Sequence, residues 1–473
     1  MGILSRLRGR QNRAYLTNPA RRLRGSFPAI ELLANNTFAD GTSGWSVSGV
    51  FSGSVSDRVM RSSVVDPPNA SPHPLRQSPA AGATVQFAPY CLRMMLVQGR
   101  GSFTGFRLRA GLSATDASYF NGVNSLAYGL RTDAFIVPAT SAFIGVVDAT
   151  TSGLMAGDYI EIPYASFSRC ALVDIGSNLL LRSDEIDNAA WTKQRSSATA
   201  NATTAPDSTS TAESIVEDAT ATQTHYFINA SGIAVSSAAI QYTFGIALKA
   251  GARTWAQIRI QENIDAGAVR ANINLATGAL GVVTVGANWV NARASVQALG
   301  NGWYYVSITG RKTNAATSLS VLVLLSTGDE GTTYTGDGTS NIYAWRATLA
   351  QSGAPMRLVQ TTTAAVAGSS PTGSAMHIKG LPSSTDGLLL PADEFEIITS
   401  KGSELKIVTA ALNSDAAGLG YLQFEPPLRG TVADNAPVIV HEPMGRFIFT
   451  GDLAGWDNEP GIFTRASAEF EEA

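Results

Sequence analysis

Four histidines lie far apart, at His73, His225, His377 and His441. None forms a His-x-x-x-His or Glu-flanked pair that would hold zinc on one element, so they are read as surface or strand residues. Two cysteines, Cys91 and Cys170, are too few for a thiolate zinc site or a disulfide framework. They could pair if their strands are neighbours; the reading taken is two buried free thiols. Glycoside hydrolysis needs two carboxyls about 5 to 10 Å apart across a cleft. Asp158 with Glu161 and Glu262 with Asp265 can be picked as such pairs, but no motif marks either. There is no Gly-x-Ser-x-Gly elbow and no phosphate loop with Gly-Lys-Ser/Thr. Gly99-Arg-Gly101-Ser-Phe-Thr-Gly105 is a near miss to the dinucleotide fingerprint in a β context and is read as a turn. No catalytic residue, cofactor or metal is therefore expected, and the chain is not expected to be an enzyme. Exposed aromatics would leave binding chemistry, because a flat ring stacks on a sugar face. Trp255 and Trp289 are the candidate glycan-stacking residues, with Tyr119 and Phe120 behind them. A core position for each is the alternative.

The elements that would carry such residues are strands. Charged residues make up only 15 % of the 473-residue chain and hydrophobic ones 44 %. Ser, Thr, Ala, Gly and Asn fill the difference, as in β-sandwiches with uncharged outer faces and many turns. The length calls for more than one domain. Tyr159-Ile160-Glu161-Ile162 shows the period of two expected of a half-buried strand. Residues 66–79 hold five prolines and read as a loop. The longest apolar run, Val321 to Leu325, is far short of a membrane helix, and no apolar stretch follows the basic N-terminus as in a signal peptide. The expected chain is therefore soluble, made in a cytoplasm, with no membrane partner.

Two segments look like a diverged repeat. Leu32-Leu33 precedes Trp45, and Leu179-Leu180-Leu181 precedes Trp191, each by about a dozen residues; each segment closes on an aromatic strand, at Tyr159 and at Tyr343. If the opening and closing strands pair, Trp45 and Trp191 lie against the cores of two sandwiches. The expected architecture is all-β. Residues 1–29 form an extended arginine-rich arm, 30–175 a first jelly-roll sandwich and 176–360 a second. Residues 361–373 are a linker, and 374–473 a small C-terminal β domain.

Asn178-Leu179-Leu180-Leu181-Arg182-Ser183, Trp191 and Thr204-Ala205-Pro206-Asp207, with the closing Asp337-Gly-Thr339-Ser-Asn-Ile342-Tyr343-Ala-Trp345, resemble a concanavalin-like jelly-roll module of phage virion proteins. Asn36-Thr37-Phe38, Gly44-Trp45 and Gly157-Asp158-Tyr159 resemble a carbohydrate-binding-module sandwich. Gly380-Leu381-Pro382, Gly387 to Asp393, Val408-Thr409-Ala410, Pro426-Pro427-Leu428-Arg429 and Asp434 to Val438 resemble a small domain of minor tail and other structural proteins of tailed bacteriophages. The resemblance implies a non-enzymatic virion component (tail, fibre, adaptor or decoration subunit) that works by assembly with other virion proteins, as a homo-oligomer. A protein that attaches to host surface glycan is the alternative. In such modules Asp158 and Asp337 would bind calcium or brace a turn, and the turn is the reading taken.

Net charge is −3, which excludes specific nucleic-acid binding by the chain as a whole. Arg6, Arg8, Arg10, Arg13, Arg21, Arg22 and Arg24 nevertheless fall within residues 1–25, without an acid among them. Seven like charges with few apolar residues cannot offset backbone ordering at ~1–2 kcal/mol per residue. The arm is expected to be disordered alone and to order on a partner whose carboxylates meet its guanidinium groups. Deleting residues 2–24 should abolish incorporation into particles; incorporation at the wild-type level, measured on purified particles, would refute an anchoring arm.

Overall fold

The structure is a computed structural model. It describes residues 159–449 apart from 230–231, 263–266, 367 and 369. Before residue 159 it describes 13–16, 23–28, 31–33, 39–40, 45, 51–56, 59–64, 75–77, 79, 83–100, 106–111, 120–121, 129–138, 140 and 143–148. After 449 it describes 455–458, 464–467 and 470–472. Every regular element among them is a strand, so the fold is all-β.

Sandwich 1 has a five-stranded sheet in the order Phe51–Ser56, Val59–Val64, Tyr159–Arg169, Ala88–Arg100, Gly129–Val137. Its second sheet runs Leu75–Gln77, Phe143–Asp148, Phe106–Gly111, Phe120–Asn121. Ile160 and Ile162 face the core and Tyr159 and Glu161 do not, as the alternation requires. Trp45, Leu92, Met94, Leu108, Ile144 and Phe167 fill the interior.

Sandwich 2 is larger. One sheet runs Trp191–Gln194, Tyr226–Asn229, Ser318–Ser326, Trp255–Glu262, Ala268–Asn274, Ala279–Val285; the short Ile233–Ala234 also pairs with Ser318–Ser326. The facing sheet runs Ser196–Thr203, Ala212–Glu217, Asn341–Ala350, Gln241–Ala250, Trp303–Lys312, Trp289–Gly300. Ile258, Ile260, Val321 and Val323 alternate with outward residues and join Phe227, Phe244, Val306 and Ile308 in the core. Each such side chain contributes ~1.5–3 kcal/mol on burial, and β-branched residues suit the pleated surface.

The repeat has a structural counterpart. Leu32 N donates to Phe167 O, and Leu179 N donates to Leu349 O at 2.7 Å, so each opening segment meets the end of its closing strand. Trp45 and Trp191 are both buried, at 8 % and 1 % exposure. The Trp191 indole donates to Arg182 O and meets Phe227 edge-on.

The C-terminal part is a closed six-stranded barrel, in the order Ala171–Val173, Ala375–Lys379, Gly420–Glu425, Gly402–Val408, Glu394–Thr399, Pro437–Ile439. Its first strand precedes sandwich 2 in the chain. The expected sandwich 1 boundary at 175 and the barrel start at 374 are corrected accordingly: sandwich 2 is inserted into the barrel. The expected linker 361–373 is corrected as well. Thr361 is buried and exchanges hydrogen bonds with Ser183, and Asn178 and Val366 bond each other's backbone. These contacts satisfy backbone groups that a free linker would leave to water.

The arm also departs from expectation. Arg13–Leu16 is a strand paired with Gly445–Phe449, whose other edge takes Phe470–Glu472. Arg24 N and Gly25 N donate to the Asp393 carboxylate at 2.6 and 2.9 Å, and Phe27 enters the barrel core. A Cβ on Gly25 would lie 2.2 Å from Leu388 O, so only glycine permits this approach. Hence residues 13–16 and 23–25 are not the disordered arm expected. Arg6, Arg8, Arg10, Arg21 and Arg22 lie outside the described residues.

Cys91 and Cys170 are both buried and unbonded. Cys91 is opposite Ser168, while Cys170 N bonds Pro89 O, which sets the two thiols on a diagonal across paired strands. Diagonal positions stand about 7–8 Å apart, beyond ordinary disulfide reach. Burial pushes both thiols well above their ordinary range, and each stays protonated and inert.

Sandwich 1 and the barrel are joined by a fully buried ion pair. Arg93 Nη2 meets Glu396 Oε2 at 2.7 Å and Arg93 Nη1 donates to Glu442 O. Glu396 also accepts from Met444 N and the Ser403 hydroxyl. Burial opposes the charge on Arg93, and Glu396 together with Tyr164, Cys91 and Glu442 more than offsets it. Arg93→Met should lower stability by about 3–5 kcal/mol, because it leaves a carboxylate buried without its partner. The double variant Arg93→Met/Glu396→Leu should recover most of that loss. Calorimetric melting that shows the single variant as stable as the double one would disprove the account.

Candidate functional site

The sheet of sandwich 2 that contains Trp255–Glu262 turns one face to the core and the other outward. With Ile258, Ile260, Val269, Ala271, Val321 and Val323 committed inward, alternation sends Trp255, Gln257, Arg259, Gln261, Arg270 and Asn272 out. Strand register arranges these in rows. One row runs Gln194, Tyr226, Leu324, Gln257, Asn272. The next runs Thr192, Ile228, Leu322, Arg259, Arg270, Thr284. Trp255 stands at the rim, between Ser326 and Asn274.

The polar groups of this face are held in place. Gln257 Nε2 donates to Asn272 Oδ1 at 2.8 Å, and Asn272 Nδ2 donates to Val282 O. Arg259 Nε donates to Gln257 Oε1. Leu322 and Leu324 form an apolar floor, 5 % and 1 % exposed although they point outward. The described strand residues of this face include no Asp or Glu. Burial, and next the charge of Arg270, bring Arg259 down to about 10, while Tyr226 works the other way. The face thus combines an apolar floor, two ring systems at its side and rim, fixed amides and two guanidinium groups.

The two tryptophans singled out from the sequence separate here. Trp255 is half-buried on the outer face. Trp289 is 3 % exposed in the core, so its role in glycan stacking is corrected. The cause is its place at the start of Trp289–Gly300 in the facing sheet, where its ring turns inward. Phe120 lies on a two-residue strand, and Tyr119 is outside the described residues. The sequence reading passed over Tyr226, Gln257, Arg259, Arg270 and Asn272. Their signal was the polar alternation in Gln257-Ile-Arg259-Ile-Gln261 and Arg270-Ala-Asn272.

The other candidates are engaged elsewhere. Glu262 is buried at an end of the sandwich and accepts from Asn314 Nδ2 at 2.8 Å; its proposed mate Asp265, like Asp158 and His73, lies outside the described residues. Asp337 accepts from the backbone and hydroxyls of Thr339 and Ser340, which hold its carboxyl far below the usual range, so it braces a turn. His225 is buried against Tyr334, with Nδ1 2.8 Å from Arg195 O. His377 packs on Tyr421, and His441 faces Glu31 at 3.4 Å. Among the described residues no group of three metal-ligating side chains converges.

One carboxyl has the pKa of a general acid. Burial, and next the Asp187 carboxyl, push Glu213 up to about 8. It is only 2 % exposed, beneath the loop that leads to Trp191, and faces no cleft. Lys193 Nζ holds that loop by donating to the carbonyls of Ile186, Asp187, Asn188 and Trp191 at 2.7–3.1 Å.

No protein-family model matches the chain, and no curated protein matches it. Among solved structures it is similar to the tandem CBM22-1–CBM22-2 domain of Xyn10C from Paenibacillus barcinonensis, with 10 % identity and a TM-score of 0.23. The match covers 69 % of this chain and 99 % of that one. At that score the likeness carries nothing about ligands here.

The contrast between the two tryptophans is testable. Trp289→Ala should cost roughly 3–5 kcal/mol through the cavity it leaves, whereas Trp255→Ala should cost roughly 1 kcal/mol or less, as at a surface position. Thermal melts giving equal losses would contradict their assignment to core and face.

Proposed function

We propose that this protein is a non-enzymatic binding and assembly protein, and that sandwich 2 takes a saccharide chain on its outer face. The observation that carries the reading is the combination of the half-exposed Trp255, Tyr226, Arg259 and Arg270 on one sheet face, with the buried amides of Gln257 and Asn272 fixing Arg259 from beneath. Sugars present an apolar ring face and a rim of hydroxyls. Aromatic rings take the former, and guanidinium groups take the latter in pairs of hydrogen bonds.

A binding role without turnover is supported by the carboxyls. Hydrolysis needs two of them facing one cleft, and Glu213, Glu262 and Asp337 are each spent on loops and turns. The resemblance to tailed-phage structural proteins makes a virion the place we propose for the chain, as a homo-oligomer held by other virion proteins. The insertion of sandwich 2 into the barrel suits that role, because two connections hold a display module more firmly than one tether.

Incubation of the full chain with purified host envelope polysaccharide tests the reading in one experiment. The protein should be retained on the polymer without releasing reducing ends, and Trp255→Ala should weaken retention. Reducing ends above a heat-killed control, or retention untouched by the variant, would remove it. Antibody labelling of intact phage particles tests the virion assignment separately.

A further inference from the structure

Arg259 and Arg270 are directly opposite each other on neighbouring strands. Like charges in that position repel and destabilise a sheet. Three other buried or partly buried arginines of this chain have carboxylates: Arg93 has Glu396, Arg253 has Glu217 and Arg346 has Asp184; the buried Arg293 instead donates to two backbone carbonyls. Among the described residues the Arg259–Arg270 pair has no carboxylate. Arg259 bonds only the neutral Gln257, and Arg270 Nε is buried without a hydrogen-bond partner. A guanidinium nitrogen withdrawn from water and left unbonded costs free energy. Two of these groups side by side, on a face that also carries rings and amides, are therefore short of one thing, an anion between them.

We infer that the outer face of sandwich 2 binds an acidic polysaccharide, with an anionic group of the chain seated between Arg259 and Arg270. This inference rests on the saccharide reading above and adds the charge class. A carboxylate or phosphate there bridges both guanidinium groups in the forked geometry they favour. It relieves their mutual repulsion and offsets the burial of Arg270 Nε. The sugar ring that carries the anion then lies on the same face as the half-exposed rings of Tyr226 and Trp255. A neutral glycan would leave the repulsion in place. A nucleic acid would bring phosphates, but it would look for several open faces to stack successive bases, and this face offers two partly buried rings, Trp255 and Tyr226.

Affinity electrophoresis of the full-length protein decides the matter. The gels contain polygalacturonate, alginate, hyaluronate or a phosphate-bearing teichoic acid. Controls are the methyl-esterified forms of the first three, neutral dextran and single-stranded DNA. At least one acidic polymer should retard the protein, with retardation falling as salt rises. The neutral counterpart and the double variant Arg259→Gln/Arg270→Gln should each bind about tenfold more weakly or worse, the loss expected for charge-assisted hydrogen bonds. The basic arm is unchanged in that variant, so the difference isolates the face. The melting temperature of the variant should not fall, because it removes a repulsion; a merely structural pair would lower it. Equal retardation by neutral and acidic polymers overturns the charge assignment and leaves the saccharide reading standing. Retardation by no saccharide, or by DNA alone, overturns both. Unaltered binding by the double variant overturns the site.

Discussion

Closure of the barrel by Ala171–Val173 is the constraint on which the other parts depend. These three residues pair with Ala375–Lys379 on one side and Pro437–Ile439 on the other. The chain reaches them directly from the last strand of sandwich 1 and leaves them directly into sandwich 2. About two hundred residues separate Ala171–Val173 from Ala375–Lys379 and more than 260 separate it from Pro437–Ile439, so the barrel cannot close until the insertion between has brought its ends together, at a loop-closure cost that grows by ~0.6 kcal/mol per doubling of length. Phe27 adds a second distant piece to the same core. The barrel is thus a junction that ties three stretches of chain, and it fixes sandwich 2 by both of its ends.

Charges at the joints are handled in a consistent way. Arg93 crosses from sandwich 1 to Glu396 in the barrel, where both side chains are fully buried and each lost partner is costly. Arg293 of sandwich 2 donates to Phe87 O and Gly353 O, and burial brings it down to about 10. Lys379 meets Asp434 at 3.0 Å and Asp174 at 4.0 Å, where the chain passes from the barrel into sandwich 2. Such contacts add little net stability relative to an apolar joint, but they tolerate only one relative placement of the parts. That is useful for a molecule that must present a face in a defined direction.

The outer face of sandwich 2 differs from these joints in setting two guanidinium groups against each other. It places two arginines side by side without an acid, on a sheet whose inner face is packed in the ordinary way. Local rules are most often broken where function is served, and the surrounding core supplies the stability that such a site gives up. The dense apolar interior of Ile258, Ile260, Val321 and Val323 holds the strands in register, so the outward residues stay in their rows whether or not a ligand is present.

Residue types and their period determined much of this protein. Alternation in Tyr159 to Ile162, low charge and frequent turn residues specify strands and sandwiches, because side chains on a strand point alternately to two faces. The Leu-to-Trp spacing specified two buried tryptophans. Pairing between distant segments was decided only in three dimensions. Nothing local in Ala171-Leu172-Val173 says that its neighbours are residues 375–379 and 437–439, and nothing in the Thr/Ala run after 361 says that Asn178 and Ser183 will satisfy its backbone. The same holds for the face. Trp255 and Trp289 read alike as aromatic residues at strand starts, and which one is solvated depends on which sheet covers each strand. Arg259 and Arg270 are eleven residues apart in sequence, and a hairpin register is what makes them direct neighbours. Period is written in the chain, whereas contact between like charges arises from register, which the packing of the opposite face selects.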